Sequence, residues 1–249
     1  MRGFVDLHSH WVSAIDDGVR SEDAGIRLLA GLKRVGFDVV VATPHMRPGM
    51  FDNDRTSLAK AYDAMLPAVR ATPHLPEVHL ASEHYFDDVV FRRLVAGEGL
   101  PYPNRKAVLV EFPPTAFPMN VQRRFFDLKR VGLTPVLAHP ERYQPVWKDD
   151  RCLDPLLDAG AALLLDVCAL VGKYGRASQR AAEDLLEDEA YEAACSDAHR
   201  PEDADDVGRA IARLEELVGP EEVNRLLGSA PRSLALDAKP RATSPSQRS

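Results

Sequence analysis

Short apolar runs alternate along the chain with longer stretches of helical periodicity, and this alternation predicts an α/β architecture. The first run, around Phe4, Val5 and Leu7, reads as a strand, and 37–42 is apolar throughout except for Asp38. Further strand-like runs fall at 78–81, 107–110, 135–138, 161–167 and 193–195. Continuous apolar runs suit strands buried on both faces of a parallel sheet. Helical patterns lie between them. Ser21 can N-cap a helix with Glu22 and Asp23 in its first turn, apolar residues at Ile26, Leu28, Leu29, Leu32 and Val35, and Gly36 just past its end. Comparable patterns cover 55–70, 87–96, 121–131, 152–158 and 178–187, and two more close the domain at 204–217 and 221–227.

One local repeat supports the alternation. Leu32-Lys33-Arg34-Val35-Gly36-Phe37 reappears as Leu128-Lys129-Arg130-Val131-Gly132-Leu133, and 157–161 is a looser copy. Each copy ends a helix on a glycine and enters a strand. Seven β/α alternations predict a parallel, barrel-like fold whose site belongs at the strands' C-terminal ends.

Polar residues of one chemical type collect at those ends. His8 and His10 close the first run two residues apart, so they point the same way. Six of the seven runs deliver His, Asp or Glu at their ends or just beyond. The full set is His8, His10, Asp17, His45, Glu83, Glu111, His139, Asp197 and His199. This exceeds what one zinc ion takes and suits two or three divalent ions bridged by a carboxylate. Nitrogen and oxygen donors of this kind fit Mn, Fe or Zn.

Composition narrows the classes. The 249 residues, 45% hydrophobic, can bury a sizeable core, and the reading is one domain over 1–235 with a disordered tail over 236–249. A net charge of -7 gives no footprint for nucleic acid. No apolar run approaches the ~20 residues that membrane insertion needs, and no signal-peptide core precedes His8. Three cysteines at wide spacing suggest no disulfide framework, hence a reduced, cytoplasmic protein, with a homo-oligomer left open.

The segments DLHSH (6–10), DDG (16–18), ATPH (42–45), SEHY (82–85), LVEF (109–112), AHPERY (138–143) and SDAH (196–199) together resemble the PHP (polymerase and histidinol phosphatase) phosphoesterases. More closely, they are similar to the bacterial manganese-dependent protein-tyrosine phosphatases of capsule and exopolysaccharide operons. The resemblance implies a distorted (β/α)7 barrel of the PHP type, related to the TIM barrel. It implies a first metal on His8, His10, Glu83 and Asp197, a second on Glu83, Glu111 and His139, and a third on Asp17, His45 and His199. It makes Mn the first choice of metal, and it makes the substrate a phosphotyrosine protein, such as a bacterial tyrosine kinase. Arg142 matches the family's phosphate-binding arginine. Arg200 stands for a second one, although the spacer that usually precedes it is absent, and Met46 replaces a frequent second histidine.

The chemistry is consistent with that resemblance. Bound cations depress the pKa of water and so activate it for attack. Arg142 would neutralise the phosphoryl oxygens, and a tyrosyl leaving group of pKa near ~10 departs with little help from a general acid. A small-molecule phosphomonoesterase, such as a histidinol-phosphate phosphatase, is the alternative enzyme. A metal-dependent amidohydrolase is disfavoured because no lysine occupies a mid-barrel strand end, and a phosphotyrosine-binding regulator is disfavoured by the complete ligand set. Cys195 and Arg200 have four residues between them and no glycine, which excludes the cysteine-phosphatase loop. Cys195 reads as a core thiol, His84 as facing away from Glu83, and His74 and His79 as chemically idle. Asp16 is the alternative to Asp17, and Arg47 is balanced between surface charge and function.

Overall fold

Proline at 44 determines how the sheet is cut. A computed structural model describes residues 2–237, and most of the expected tail lies outside the described residues. The strands are β1 (Phe4–Ser9), β2 (Phe37–Ala42), β3 (His45–Met46), β4 (Glu77–Leu80), β5 (Glu83–Tyr85), β6 (Ala107–Glu111), β7 (Thr134–Ala138), β8 (Ala162–Asp166) and β9 (Ala193–Cys195). All pairings between them are parallel, in the orders β1-β2-β4 and β3-β5-β6-β7-β8-β9. The chain leaves β2 at Thr43-Pro44, where proline offers no N–H to the ladder, and re-enters as β3 in the second sheet. His45 and Glu83 therefore sit on short strands of their own rather than past the ends of long ones. That split is the main departure from the expected strands.

The helices are α1 (Glu22–Val35), α2 (Arg55–Ala71), α3 (Asp88–Val95), α4 (Val121–Arg130), α5 (Gln144–Lys148), α6 (Asp154–Asp158), α7 (Arg176–Glu187) and α8 (Asp203–Asn224). In α1 the Ser21 side chain accepts the Ala24 amide, and Gly36 takes a φ of 122° to close the last turn. Its Leu28, Leu29 and Leu32 are fully buried, worth roughly 1.5–3 kcal/mol each. The helix expected over 152–158 opens instead as a 3-10 turn, Asp150–Leu153, before α6. Within α8 the two expected closing helices are distinct, separated at Gly219, whose φ of 80° and ψ of 165° are not helical, just ahead of Pro220.

Strands buried on both faces divide the core in two. Val108 and Val110 of β6 pack in the larger cluster with the helices, and Ala107 and Leu109 in the smaller inner one. Glu111 continues the inner face. The ends of the first and last strands are stitched together: the Asp197 amide donates to His8 O and the His10 amide to Ala198 O, both at 2.9 Å. Beneath them the Ser196 amide and hydroxyl both donate to the buried Asp6 carboxyl, which burial raises to about 6.

Candidate metal centre

Four groups of side chains at the strands' C-terminal ends bring possible ligand atoms within 4.8 Å of one another: His10 with Asp17, His45 and His199; His8 with His10 and Asp197; His8 with Glu83 and His139; and His45 with Glu83 and Glu111. All nine residues expected from the sequence are in them. The grouping differs from the expected one: Glu83 stands apart from the His8, His10 and Asp197 group, His10 also joins Asp17, His45 and His199, His139 lies with His8 rather than Glu111, and His45 faces Glu83 and Glu111 as well as Asp17.

Glu83 is the hub. Its Oε2 lies 3.3 Å from His8 Nε2 and 3.0 Å from His45 Nδ1, and its Oε1 lies 3.2 Å from His139 Nε2. Burial disfavours its charge, but His8 and His45 outweigh that and hold the carboxyl well below its usual range. At His8 burial acts to lower the pKa, but the Asp197 and Glu83 carboxylates outweigh it and lift the imidazole to about 9. His139 lacks enough such support, and burial lowers it to about 4.

Both His139 (φ 37°) and Asp197 (φ 43°) have left-handed backbone, which interrupts strand alternation and turns each side chain inward. Cys195 ends β9 two residues before Asp197. Its thiol is buried in the inner cluster, donates to Leu165 O at 3.3 Å, and is pushed far up by burial. Cys195→Ser is accordingly expected to keep most of the enzyme's activity, and iodoacetamide should leave the metal-loaded protein active; loss of turnover in a folded, metal-loaded Ser variant would reinstate a thiol route.

The Asp-Asp-Gly loop divides its labour. Asp17 is half exposed, with Oδ1 3.4 Å from His45 Nε2 and 3.6 Å from His199 Nε2. Asp16 is buried, and its Oδ2 accepts from His10 Nδ1 (2.8 Å) and from the His45 amide (3.2 Å). This leaves His10 Nε2 free as a donor atom, the orientation that carboxylate–histidine pairs give metal ligands. Gly18 permits the loop to close, because a Cβ there would meet His10 O at 2.2 Å.

The AHPERY segment builds the opposite wall. Pro140 starts a 3-10 turn, Pro140–Arg142. Glu141 is buried, accepts the Asp166 amide (3.0 Å) and the Tyr191 hydroxyl (2.9 Å), and is raised to about 8 by burial and Asp166. The Tyr143 hydroxyl donates to Ala138 O and accepts the Phe112 amide. So anchored, Arg142 reaches Asp197 Oδ2 at 2.5 Å and lies 4.4 Å over the Tyr174 ring.

Asp166 and Tyr174 were not assigned from sequence, and Asp16 only as the alternative to Asp17. Asp166 ends β8, buried, with Oδ2 3.8 Å from Arg142, so every strand end from β6 to β9 carries an acid or imidazole there or just beyond. The signal was present in Leu-Leu-Leu-Asp, but Val167 extended the apparent run past it. His84 has both ring nitrogens engaged, with Leu109 O and the Leu100 amide, which accounts for its direction away from the cluster. Arg200 is exposed, and its side chain makes no ion pair or hydrogen bond among the described residues.

The donor set fits divalent cations on an observation independent of motif. Asp197 Oδ1 and Glu111 Oε2 are buried carboxylate oxygens with no hydrogen-bond donor, positions at which a cation would compensate the charge.

Parallel strands with a His, Asp and Glu donor set at their C-terminal ends define an α/β protein of the metal-dependent enzyme kind. The chain belongs to the family described as capsular polysaccharide synthesis, CpsB/CapC, which it matches over residues 4–235. It is 28% identical to tyrosine-protein phosphatase YwqE of Bacillus subtilis over 195 residues, 78% of this chain and 77% of that one. It is 24% identical to the putative tyrosine-protein phosphatase CapC of Staphylococcus aureus, over 78% and 76% of the two chains. Among solved structures it superposes with TM-score 0.82 and 27% identity, covering 89% and 90%, on one from the work on YwqE of Bacillus subtilis and CpsB of Streptococcus pneumoniae, described as unique metal-dependent tyrosine phosphatases. The lactonase Lmo2620 of Listeria monocytogenes, at TM-score 0.54 and 10% identity over 94% of each chain, shares the fold alone.

Proposed function

We propose that this chain is a metal-dependent protein-tyrosine phosphatase, a single domain over 1–235, that hydrolyses phosphotyrosine on a protein such as a bacterial tyrosine kinase of capsule or exopolysaccharide synthesis in the cytoplasm. The observation that carries the reading is the convergence of His8, His10, Asp17, His45, Glu83, Glu111, His139, Asp197 and His199 with Arg142 at one mouth. Two or three divalent ions, Mn first, would be held by those nine residues, with Glu83 shared between groups. Such ions supply Lewis acidity and lower the pKa of water.

The chain's own groups do the rest. Asp16 keeps His10 Nε2 turned to the cluster, and Asp197 divides its oxygens, Oδ1 toward His8 and Oδ2 toward Arg142. Arg142 offers paired N–H donors to phosphoryl oxygens as their charge redistributes. A tyrosyl oxygen of pKa near ~10 then leaves without a dedicated acid.

Chelation tests the reading. EDTA should abolish hydrolysis of a phosphotyrosine peptide, and Mn should restore it better than Mg, because imidazole-rich sites favour the softer ion. Activity that survives exhaustive chelation would remove the polynuclear mechanism. The same Mn-loaded sample should prefer the peptide over histidinol phosphate; the reverse preference selects the small-molecule alternative. No helix among the described residues is long and apolar enough to cross a membrane.

A further inference from the structure

Arg200 engages none of the cluster's carboxylates, yet a second guanidinium does stand over the centre. His45 pairs with Glu83, and Met46 with His84, along β3 and β5; β5 in turn pairs Tyr85 with Glu111 of β6. One further step places Arg47 opposite Tyr85. Arg47, Tyr85 and Glu111 thus form one row across three strands. Arg47 lies two residues beyond His45, and Tyr85 two beyond Glu83, so the row follows the proposed ligands on the same face.

The row is held firmly. The Arg47 guanidinium lies 4.1 Å from the Tyr85 ring centroid. The Arg47 amide donates to Phe51 O (3.1 Å) and the Phe51 amide to Arg47 O (2.8 Å), closing a tight loop. Phe51 stacks on His45 with centroids 5.3 Å apart, and Asn53 Nδ2 donates to His45 O and Ile15 O, tying this loop to the Asp-Asp-Gly loop.

Arg142 is paired with Asp197, whereas Arg47 has no ion pair among the described residues, so its N–H donors are uncommitted. Through Tyr85, Arg47 stands in register with Glu111, whose Oε2 lies 3.9 Å from His45 Nδ1.

We infer that Arg47, held by the Tyr85 ring, is the second guanidinium that binds the substrate's phosphoryl oxygens, in place of Arg200. The inference rests on the phosphatase reading above. A planar fork stacked on an aromatic face loses little freedom on binding a tetrahedral oxyanion. Tyr85 is then a positioning residue, acting through Arg47.

The test uses the full chain loaded with Mn, two substrates and inorganic phosphate as inhibitor. Wild-type turnover comes first: its absence would fail the phosphatase reading itself. Given turnover, Arg47→Ala should lower kcat/KM on the order of 10- to 100-fold, equally for p-nitrophenyl phosphate and a phosphotyrosine peptide, because the phosphoryl group is common to both. The inhibition constant for phosphate should rise with it, Arg47→Lys should recover part of the loss, and Arg200→Ala should change neither substrate. Tyr85→Phe should resemble wild type, and Tyr85→Ala should weaken phosphate inhibition in an otherwise intact Arg47 background, but not when Arg47 is already Ala. Wild-type efficiency in Arg47→Ala, a loss confined to the peptide, or a loss of bound metal would each overturn the assignment.

Discussion

Glu83→Gln should strip metal and activity together, with kcat/KM falling by about 10³-fold or more. The carboxylate stands among His8, His10, His45 and His139 at 3.0–3.6 Å, which no other residue of the centre does. An amide keeps the shape but removes the charge that draws cations between those imidazoles, and its NH2 would confront ring nitrogens needed as donors. Losing a group that only supports a ligand costs roughly 10–100-fold in affinity; losing one shared between groups must cost more. Metal analysis on the purified variant, beside peptide turnover, is the measurement. Full metal content in Glu83→Gln would show that Glu83 is not shared by the ions.

Arg142→Ala should separate substrate binding from metal binding. The guanidinium contacts Asp197 through Oδ2, while Oδ1 is the oxygen turned to His8 at 3.2 Å. Removing Arg142 therefore leaves the oxygen directed at the cluster in place, with Asp197 still fixed by its amide's bond to His8 O. Metal content at saturating Mn should hold, and kcat/KM for phosphotyrosine peptide should fall by on the order of 10²-fold, roughly 3 kcal/mol. Arg142→Lys should recover only part, since an ammonium lacks the fork. Near wild-type efficiency in the Ala variant, or metal loss like that of Glu83→Gln, would withdraw its proposed role.

The strand ends were legible because buried parallel strands are apolar to their last residue, so a His, Glu or Asp there stands out. What escaped was whatever breaks strand periodicity. Pro44 transfers the chain between sheets, a tertiary choice that its neighbours do not encode. At His139 and Asp197 the backbone turns left-handed, so side-chain direction could not be counted from the strand. Asp166 was hidden because Val167 prolonged the apolar run by one residue. The division of Asp16 and Asp17 depends on a loop whose closure only three-dimensional packing reveals.

That closure has a consequence for recognising distant relatives. A glycine is usually the least informative letter in a motif, since many turns admit several residues. At Gly18 the nearest backbone oxygen leaves no room for even a methyl group, and that oxygen belongs to His10. A chain with His-x-His and a downstream acidic pair, but alanine or serine in this position, could not seat its loop against its own histidine in this way. Screening candidates on that one small residue would thus discard chance histidine pairs that a search for ligands alone retains.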